Sequence, residues 1–438
     1  MCQAHSSDSG LPLRSGSGRY YVWTVGCQMN FADSRRLSEL LEGRGYCEAA
    51  TADEADLVVL NTCVVRQSAE ERVLGRLSAL KGLKEQRPEV RLAVMGCLVG
   101  VEPEGPLSLG ERFPYVDFWL PPSAHERLLD HLDAIGPAAT LPSPVSRYVT
   151  IMQGCNNFCS YCIVPYRRGR EQSRPPTDIR REMEDLAAHG AREITLLGQN
   201  VDSYGRGLPG EPTLADLLHQ VHDVDGIERL RFLTNHPKDL SDGLIRAVAS
   251  LRKVCEHIEL PLQSGSNEVL RRMNRRYTRE QYLDLVERIR AEIPGVSLAT
   301  DVIVGYPGET HEQFLQTLTL LDQVGYTAIH IACYSPREGT AAALLPDDVP
   351  EEVKDERRRA VEEVLERHSA ALNRAFLGQR VEVLFEERTR GKWRGRTRTN
   401  RLVFVDNNAD LRGRLLPVEI TWTGPWSMQA RLAENEGV

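Results

Sequence analysis

Long apolar runs are missing from this chain of 438 residues. No stretch approaches the roughly 20 residues that a helix needs to cross a bilayer, so no membrane segment is expected. An apolar h-region is missing as well. Met1 to Gly18 is rich in Ser and Gly and reads as a disordered tail, not a secretory signal. A cytoplasmic location is the expectation, in a compartment where thiols stay reduced. Positive charge is not in excess. The net charge of −8 does not advertise a nucleic-acid binder, and any such role needs a local basic patch. The ten cysteines then point to metal or catalysis, not to disulfides. The length exceeds one ordinary core, so two or three domains are expected.

The first region repeats one pattern three times. Apolar strand candidates Tyr20 to Val25, Asp56 to Leu60 and Arg91 to Met95 run into Cys27, Cys63 and Cys97. Helical patterns, Ser34 to Gly43 and Ser68 to Gln86, lie between them. Short apolar strands alternating with amphipathic helices indicate a parallel α/β sheet. Gly136 to Pro144 reads as a linker. Six further strand candidates follow: Tyr148 to Met152, Glu193 to Leu197, Arg229 to Leu233, His257 to Leu260, Leu298 to Val304 and Ala328 to Cys333. Six β/α units suggest a partial barrel, although strand counting alone does not separate it from an open sheet. A charged amphipathic helix spans Glu351 to Phe376, and short β-like runs come after Gly378. The expected division is a tail at 1–18, an α/β domain at 19–135, a linker at 136–146, a partial (β/α)6 barrel at 147–373 and a small all-β barrel at 374–436.

Gln153-Gly-Cys155-Asn-Asn-Phe-Cys159-Ser-Tyr-Cys162 follows a strand candidate directly. Three thiolates in one loop can hold three irons of a cubane and leave the fourth open to a ligand. Structural zinc needs a fourth ligand and usually shows paired Cys-x2-Cys knuckles, and no partner pair appears downstream. Cys-x3-Cys-x2-Cys after the first strand of a β/α barrel resembles the radical S-adenosylmethionine (SAM) signature. Gln153 to Arg170, Leu197 to Tyr204, Leu260 to Gly265 and Asp301 to Thr310 resemble the methylthiotransferase branch of that superfamily. The resemblance runs from about Tyr20 to about Leu432. It implies that Cys155, Cys159 and Cys162 carry a catalytic 4Fe–4S cluster. It also implies that Tyr161, Gly198, Gln199, Gln263, Ser264 and Ile303 line the SAM pocket. Those segments end successive strands, on the face where such folds bind ligands.

Cys27, Cys63 and Cys97 stand 36 and 34 residues apart, about one βα unit each. Three thiols at the same place in three repeats should converge on one sheet edge. Buried core cysteines are the bland alternative, and it weakens with each repeat. Cys2, Cys47, Cys255 and Cys333 lack this positional logic. In the methylthiotransferase family the triad implies a second, auxiliary 4Fe–4S cluster that handles the inserted sulfur. Gln28-Met-Asn30 resembles the branch acting on N6-isopentenyladenosine in tRNA. Pro-Lys-Asn and Lys-Val-Asn mark the ribosomal-protein and threonylcarbamoyladenosine branches. Cys97-Leu-Val-Gly100 departs from the family's commoner Cys-x-Ala-Gln.

Residues 374–438 hold 12 Lys or Arg against 8 Asp or Glu, locally basic in an acidic chain. Lys392, Trp393, Arg394, Arg396, Arg398 and Arg401 concentrate that charge around one aromatic. Basic groups neutralise phosphates and an aromatic can stack on an unpaired base. A solvated hairpin is the alternative. The segment resembles the TRAM domain, an RNA-binding β-barrel. Together the resemblances imply 2-methylthiolation of isopentenyladenosine beside the tRNA anticodon. The family chemistry takes a radical from one SAM, sulfur from the auxiliary cluster and methyl from a second SAM. The implied partners are the tRNA anticodon loop, SAM, an electron donor such as flavodoxin or ferredoxin, and a sulfur source. Two competitors share many of these features: a threonylcarbamoyladenosine tRNA methylthiotransferase, and a non-catalytic RNA-binding iron–sulfur redox protein.

Overall fold

The structure is a computed structural model that describes residues 18–65, 67–101, 107–132 and 144–433. The expected tail, Gly18 apart, and residues 136–143 of the expected linker lie outside the described residues.

Strands buried on both faces read as near-continuous apolar runs, and two central strands of the first sheet, Leu57–Thr62 and Arg91–Gly96, are of that kind. Its strands are β1 (Arg19–Thr24), β2 (Cys47–Glu48), β3 (Leu57–Thr62), β4 (Arg91–Gly96) and β5 (Phe118–Leu120). All pair in parallel, in the order β2-β1-β3-β4-β5. Alternate side chains face opposite ways. Val58, Leu60, Leu92 and Val94 pack on the helix Gln67–Gln86. Leu57, Val59, Ala93 and Met95 pack on the helix Gln28–Glu42. Strands β2 and β5 were not expected, because two or three residues carry no readable period. The first helix starts at Gln28, not at Ser34 as expected. Cys27 is its N-cap and makes no side-chain cap bond, so no Ser, Thr, Asp or Asn marks the start.

The central region supplies β6 (Ser146–Thr150), the hairpin β7 (Met152–Gln153) and β8 (Gln172–Ser173), then β9 (Glu193–Leu197) and β10 (Arg229–Phe232). After these come β11 (His257–Glu259), β12 (Ser297–Val304) and β13 (Ala328–Cys333). The six parallel strands form two three-stranded halves, β10-β9-β6 and β11-β12-β13. A single bridge, Leu230 to Val254, joins the halves. One continuous core lies between the strands and the helices outside them. This is an open, split barrel whose C-terminal strand ends share one rim.

The last region is a closed barrel of five strands, β14 (Arg380–Thr389), β15 (Lys392–Thr397), β16 (Leu402–Val405), β17 (Leu415–Thr423) and β18 (Met428–Leu432). It docks on the N-terminal end of β10 and the start of β11. Arg231 donates to the carbonyls of Thr397 and Arg398, at 2.8 and 2.7 Å. Arg398 returns the grip, with Nε 2.9 Å and Nη2 2.6 Å from the Glu256 carboxylate. Among the described residues, no helix is long and apolar enough to cross a membrane.

Candidate functional site

Parallel strands deliver their C-terminal ends to one edge, where open α/β sheets bind ligands. The register sets Thr24 beside Asn61 and Thr62 beside Gly96. Cys63 and Cys97 thus leave neighbouring strands together, and the Cys97 N–H donates to the Thr62 carbonyl at 3.0 Å. Gly26 turns into Cys27 at φ +128°, where a Cβ would lie 2.6 Å from the Cys63 Cβ. Only glycine lets the Cys27 loop rest on Cys63. Cys63 and Cys97 are buried, and Cys27 is exposed. Asn30, fully buried, donates from Nδ2 to the carbonyls of Val25 and Thr62, both at 2.8 Å. Those carbonyls open the Cys27 and Cys63 loops. Arg168 reaches in from the central region. Its Nε donates to Cys97 Sγ at 3.4 Å, and its Nη2 to Asn30 Oδ1 at 2.9 Å and Asp33 Oδ2 at 3.1 Å. Burial pushes the Cys97 thiol up, and the Arg168 charge pulls it back.

The central cysteine loop is closed at its neck by the β7–β8 hairpin and by the Cys155 N–H on the Gly169 carbonyl, at 3.1 Å. Gly154 sits at φ +76°, where a Cβ would fall 2.1 Å from the Arg170 carbonyl oxygen. The far side is pinned by Ser160 Oγ on the Arg272 carbonyl, at 2.8 Å, and by Asn274 Nδ2 on the Phe158 carbonyl, at 2.9 Å. Arg275, buried, donates from Nη1 to Cys159 Sγ at 3.4 Å. Burial pushes Cys155 up to about 11 and Cys162 up to about 12. A metal group must displace those protons to bind. Among the described residues, no three His, Cys, Asp or Glu side chains close on a point that could hold one metal ion.

The residues expected to line the SAM pocket fall into three groups. Tyr161 and Ile303 pack on the same small apolar cluster beside the cysteine loop. Gln263 lies next to Ile303, accepting its N–H at 3.1 Å. Gln263 Oε1 and Gln199 Oε1 are buried with no hydrogen-bond partner. Unpaired buried acceptors ask for a donor from outside the chain, and the ammonium and hydroxyls of SAM are donors. Gly198 is pressed on Met152, and a Cβ there would lie 2.5 Å from its Cγ. Ser264 is placed differently: it is fully buried and its hydroxyl accepts the Ser266 N–H at 3.2 Å. The Asp301 to Thr310 segment ends on Glu309. This carboxylate accepts the Gly305 N–H and pairs with Arg357, both at 2.7 Å, and so ties the turn to the helix Glu351–Arg374.

Three family descriptions match this chain. The Radical SAM superfamily matches residues 149–321, the uncharacterised protein family UPF0004 matches 19–121, and the TRAM domain matches 374–433. A protein of Chloroflexus aurantiacus named tRNA-2-methylthio-N(6)-dimethylallyladenosine synthase is 49% identical over 428 residues, covering 94% of this chain and 91% of its own. A protein of that name from Dehalococcoides mccartyi is 48% identical over 418 residues, covering 95% and 98%. The chain belongs to the family of these synthases. Among solved structures, the radical SAM methyltransferase TsrM from Kitasatospora setae, with cobalamin and a 4Fe–4S cluster bound, aligns with a TM-score of 0.53. It is 15% identical and covers 75% of this chain and 74% of its own, so it shares the fold alone.

The cofactors of a radical SAM synthase of this family are SAM and two 4Fe–4S clusters. The two triads fit them. Each offers three thiols, and each has one buried arginine donating to a cysteine sulfur. Arg168 Nη1 has no partner at all, which suits an anionic group rich in sulfide acceptors.

The TRAM region calls for three corrections. Trp393 is not a stacking platform: it lies in the barrel core, 7% exposed, with Nε1 on the Ala409 carbonyl at 2.8 Å. Strand β15 alternates, so Trp393, Gly395 and Thr397 point in and Lys392, Arg394 and Arg396 point out. Arg398 has left the strand and grips Glu256, so it does not share that outward face. Arg401 is also turned inward. It donates to Asn373 and stacks over Phe376 at 5.0 Å, and burial pushes it down to about 10. Arg394 and Arg396 are shared with Glu386, at 3.0 and 3.5 Å. Sequence reasoning missed Asn30, Arg168 and Arg275 as site residues. Asn30 and Arg168 stand inside segments that carried the family resemblance, yet nothing local shows what they touch.

Proposed function

We propose that this chain converts N6-isopentenyladenosine next to the tRNA anticodon into its 2-methylthio derivative, in the cytoplasm. The observation that carries this reading is a cavity of about 540 Å³ inside the split barrel, within the range of small-molecule sites. Its wall combines core residues Tyr148, Arg231, Glu259 and His330, TRAM residues Arg396, Asn400 and Trp426, and Gln28 from the N-terminal helix. Gln28 follows Cys27 directly. A base entering past the TRAM region would therefore approach Gln28, on the side of the auxiliary triad. Trp426, 60% exposed on the rim, offers the aromatic face that Trp393 does not. A splayed anticodon-loop base stacks on such a face before it is read.

When bound, the catalytic cluster with SAM supplies a carbon radical, and the auxiliary cluster supplies the sulfur. The chain's own residues position and exclude. Glu259 can accept from an exocyclic amine. Burial opposes its ionisation, but the His330 imidazole, 3.4 Å away, and the Thr234 N–H, at 3.0 Å, hold its carboxyl below the usual range. His257 is pushed down to about 3 by burial, so the cavity floor stays neutral there. Residues 19–135 hold the auxiliary triad, residues 147–373 the catalytic triad and SAM, and residues 374–436 the RNA, through Lys392, Arg394 and Arg396. An external one-electron donor of flavodoxin or ferredoxin type and a sulfur source complete the cycle. Mass spectrometry of tRNA nucleosides tests the substrate. A strain lacking the gene should accumulate isopentenyladenosine and regain the methylthio form on complementation. Loss of a methylthio-threonylcarbamoyl nucleoside instead would move the chain to the competing branch.

A further inference from the structure

Arg168 belongs to the central region by sequence and to the auxiliary triad by contact. It lies six residues after Cys162, at the end of the short helix Val164–Arg168 that leaves the catalytic cysteine loop. Its side chain is 2% exposed. Burying a guanidinium is costly unless its charge and donors are met. Three of its contacts are accounted for: Cys97 Sγ, Asn30 Oδ1 and Asp33 Oδ2. Asp33 is itself held by Ser123 Oγ at 2.7 Å. Nη1 remains buried with no acceptor. An orphaned buried donor is rare in native proteins and signals a missing partner. The guanidinium already lies on Cys97 and feels the Cys27 thiol electrostatically, so the missing partner belongs to the group the triad holds.

We infer that Arg168 is a hydrogen-bond donor to the auxiliary cluster, with Nε on the Cys97 thiolate and Nη1 on a cluster sulfur or on the sulfur bound at the open iron. This rests on Cys27, Cys63 and Cys97 holding that cluster. The network then spans all three ligand loops: Asn30 fixes the Cys27 and Cys63 loops, and Arg168 fixes Asn30 and Cys97. A consequence follows for the architecture. The auxiliary site is complete only when the central region is docked, because its cation rides on the loop of the other cluster. Donors and positive charge beside cluster sulfurs raise the reduction potential. Arg168 thus makes the auxiliary cluster easier to reduce and holds its exchangeable sulfur in place.

The test uses full-length protein with Cys155, Cys159 and Cys162 changed to Ala, so that only the auxiliary cluster remains. Arg168→Met in this background should lower the midpoint potential in an EPR-monitored redox titration and change the cluster's g values. Arg168→Lys, which keeps the charge, should fall between. Protein labelled with guanidino-15N arginine should show a nitrogen coupling to the reduced cluster by pulsed EPR, and Arg168→Lys should lose it. In otherwise native enzyme, Arg168→Met should lower methylthio product by about tenfold or more, while SAM cleavage continues. An unchanged potential in Arg168→Met overturns the inference. So does the absence of a nitrogen coupling in the protein with Arg168 in place, a measurement that stands even if the Met variant fails to fold. Neither measurement needs tRNA, so the substrate reading can fail without touching this one.

Discussion

Arg398→Ala should loosen the TRAM barrel from the radical SAM core. The guanidinium donates to four oxygens across that boundary: both of the Glu256 carboxylate, at 2.9 and 2.6 Å, and the carbonyls of Arg252 and Val254, at 2.9 and 2.6 Å. Both members of the ion pair are 28% exposed. The pair therefore lies between exposed bridges, worth about 0–1 kcal/mol, and buried ones, whose disruption costs about 3–5 kcal/mol. A loss of about 2 kcal/mol is expected, or about 30-fold in the docking equilibrium. Arg229 and Arg231 still hold the same turn by the carbonyls of Arg396, Thr397 and Arg398, so most molecules stay docked. Hydrogen exchange reads the opening. The amides of the turn from Thr397 to Arg401, which the docked core covers, should exchange up to about 30-fold faster in the variant. Glu256→Ala should do the same, and the double variant should add little, because the two residues share one interaction. Unchanged exchange in Arg398→Ala, or fully additive effects, would show that this ion pair does not hold the barrel on the core.

Three further outcomes follow from the geometry. Changing Arg394 and Arg396 to Ala should weaken tRNA binding and flatten its log–log salt slope by about one to two, and an unchanged slope would place the phosphates elsewhere. Trp393→Leu should cost the TRAM barrel about 2–4 kcal/mol in anaerobic unfolding while docked protein keeps its tRNA affinity. A loss of affinity at unchanged stability would restore the stacking role. Asp202 accepts from Asn235 Nδ2 and the His236 N–H, at 2.6 and 2.7 Å, yet burial pushes its carboxyl up to about 7. The fold then keeps a proton that the unfolded chain releases near pH 4, so the stability it contributes is full below about pH 4 and is lost as pH rises to about 7. Asp202→Asn should gain on wild type over that window, by at most about 4 kcal/mol, in thermal unfolding midpoints at pH 5 and 7.5. A difference that does not change with pH would contradict it.

Much of this was legible because strand ends and ligand positions coincide. The apolar runs before Cys63 and Cys97 are parallel strands buried on both faces, the run before Cys27 is a half-buried strand paired beside them, and such runs need no partner to be recognised. The start of the first helix was not legible, since a cysteine N-cap without a side-chain bond leaves no signature. The fate of the TRAM arginines was hidden for a different reason. A guanidinium that holds a phosphate and one that holds a carbonyl look alike in sequence, and Arg398 found Glu256 at a separation of 142 residues. Trp393 was misread although its signal was present. Lys392-Trp-Arg-Gly-Arg-Thr397 alternates with a period of two, which puts the tryptophan on the inside with Gly395 and Thr397. Arg168 is legible only in three dimensions, because its sulfur partner lies 71 residues upstream on another sheet.

If two cysteine triads divide the work, one comparison separates their parts. Reduced, anaerobically reconstituted enzyme with Cys27, Cys63 and Cys97 changed to Ala is incubated with SAM and isopentenylated tRNA. Iron, 5′-deoxyadenosine and methylthio nucleoside are then measured together. The expected result is about half of the roughly eight irons of two cubanes, continued 5′-deoxyadenosine formation and no methylthio product. Normal product from this variant would show instead that the N-terminal triad is only structural.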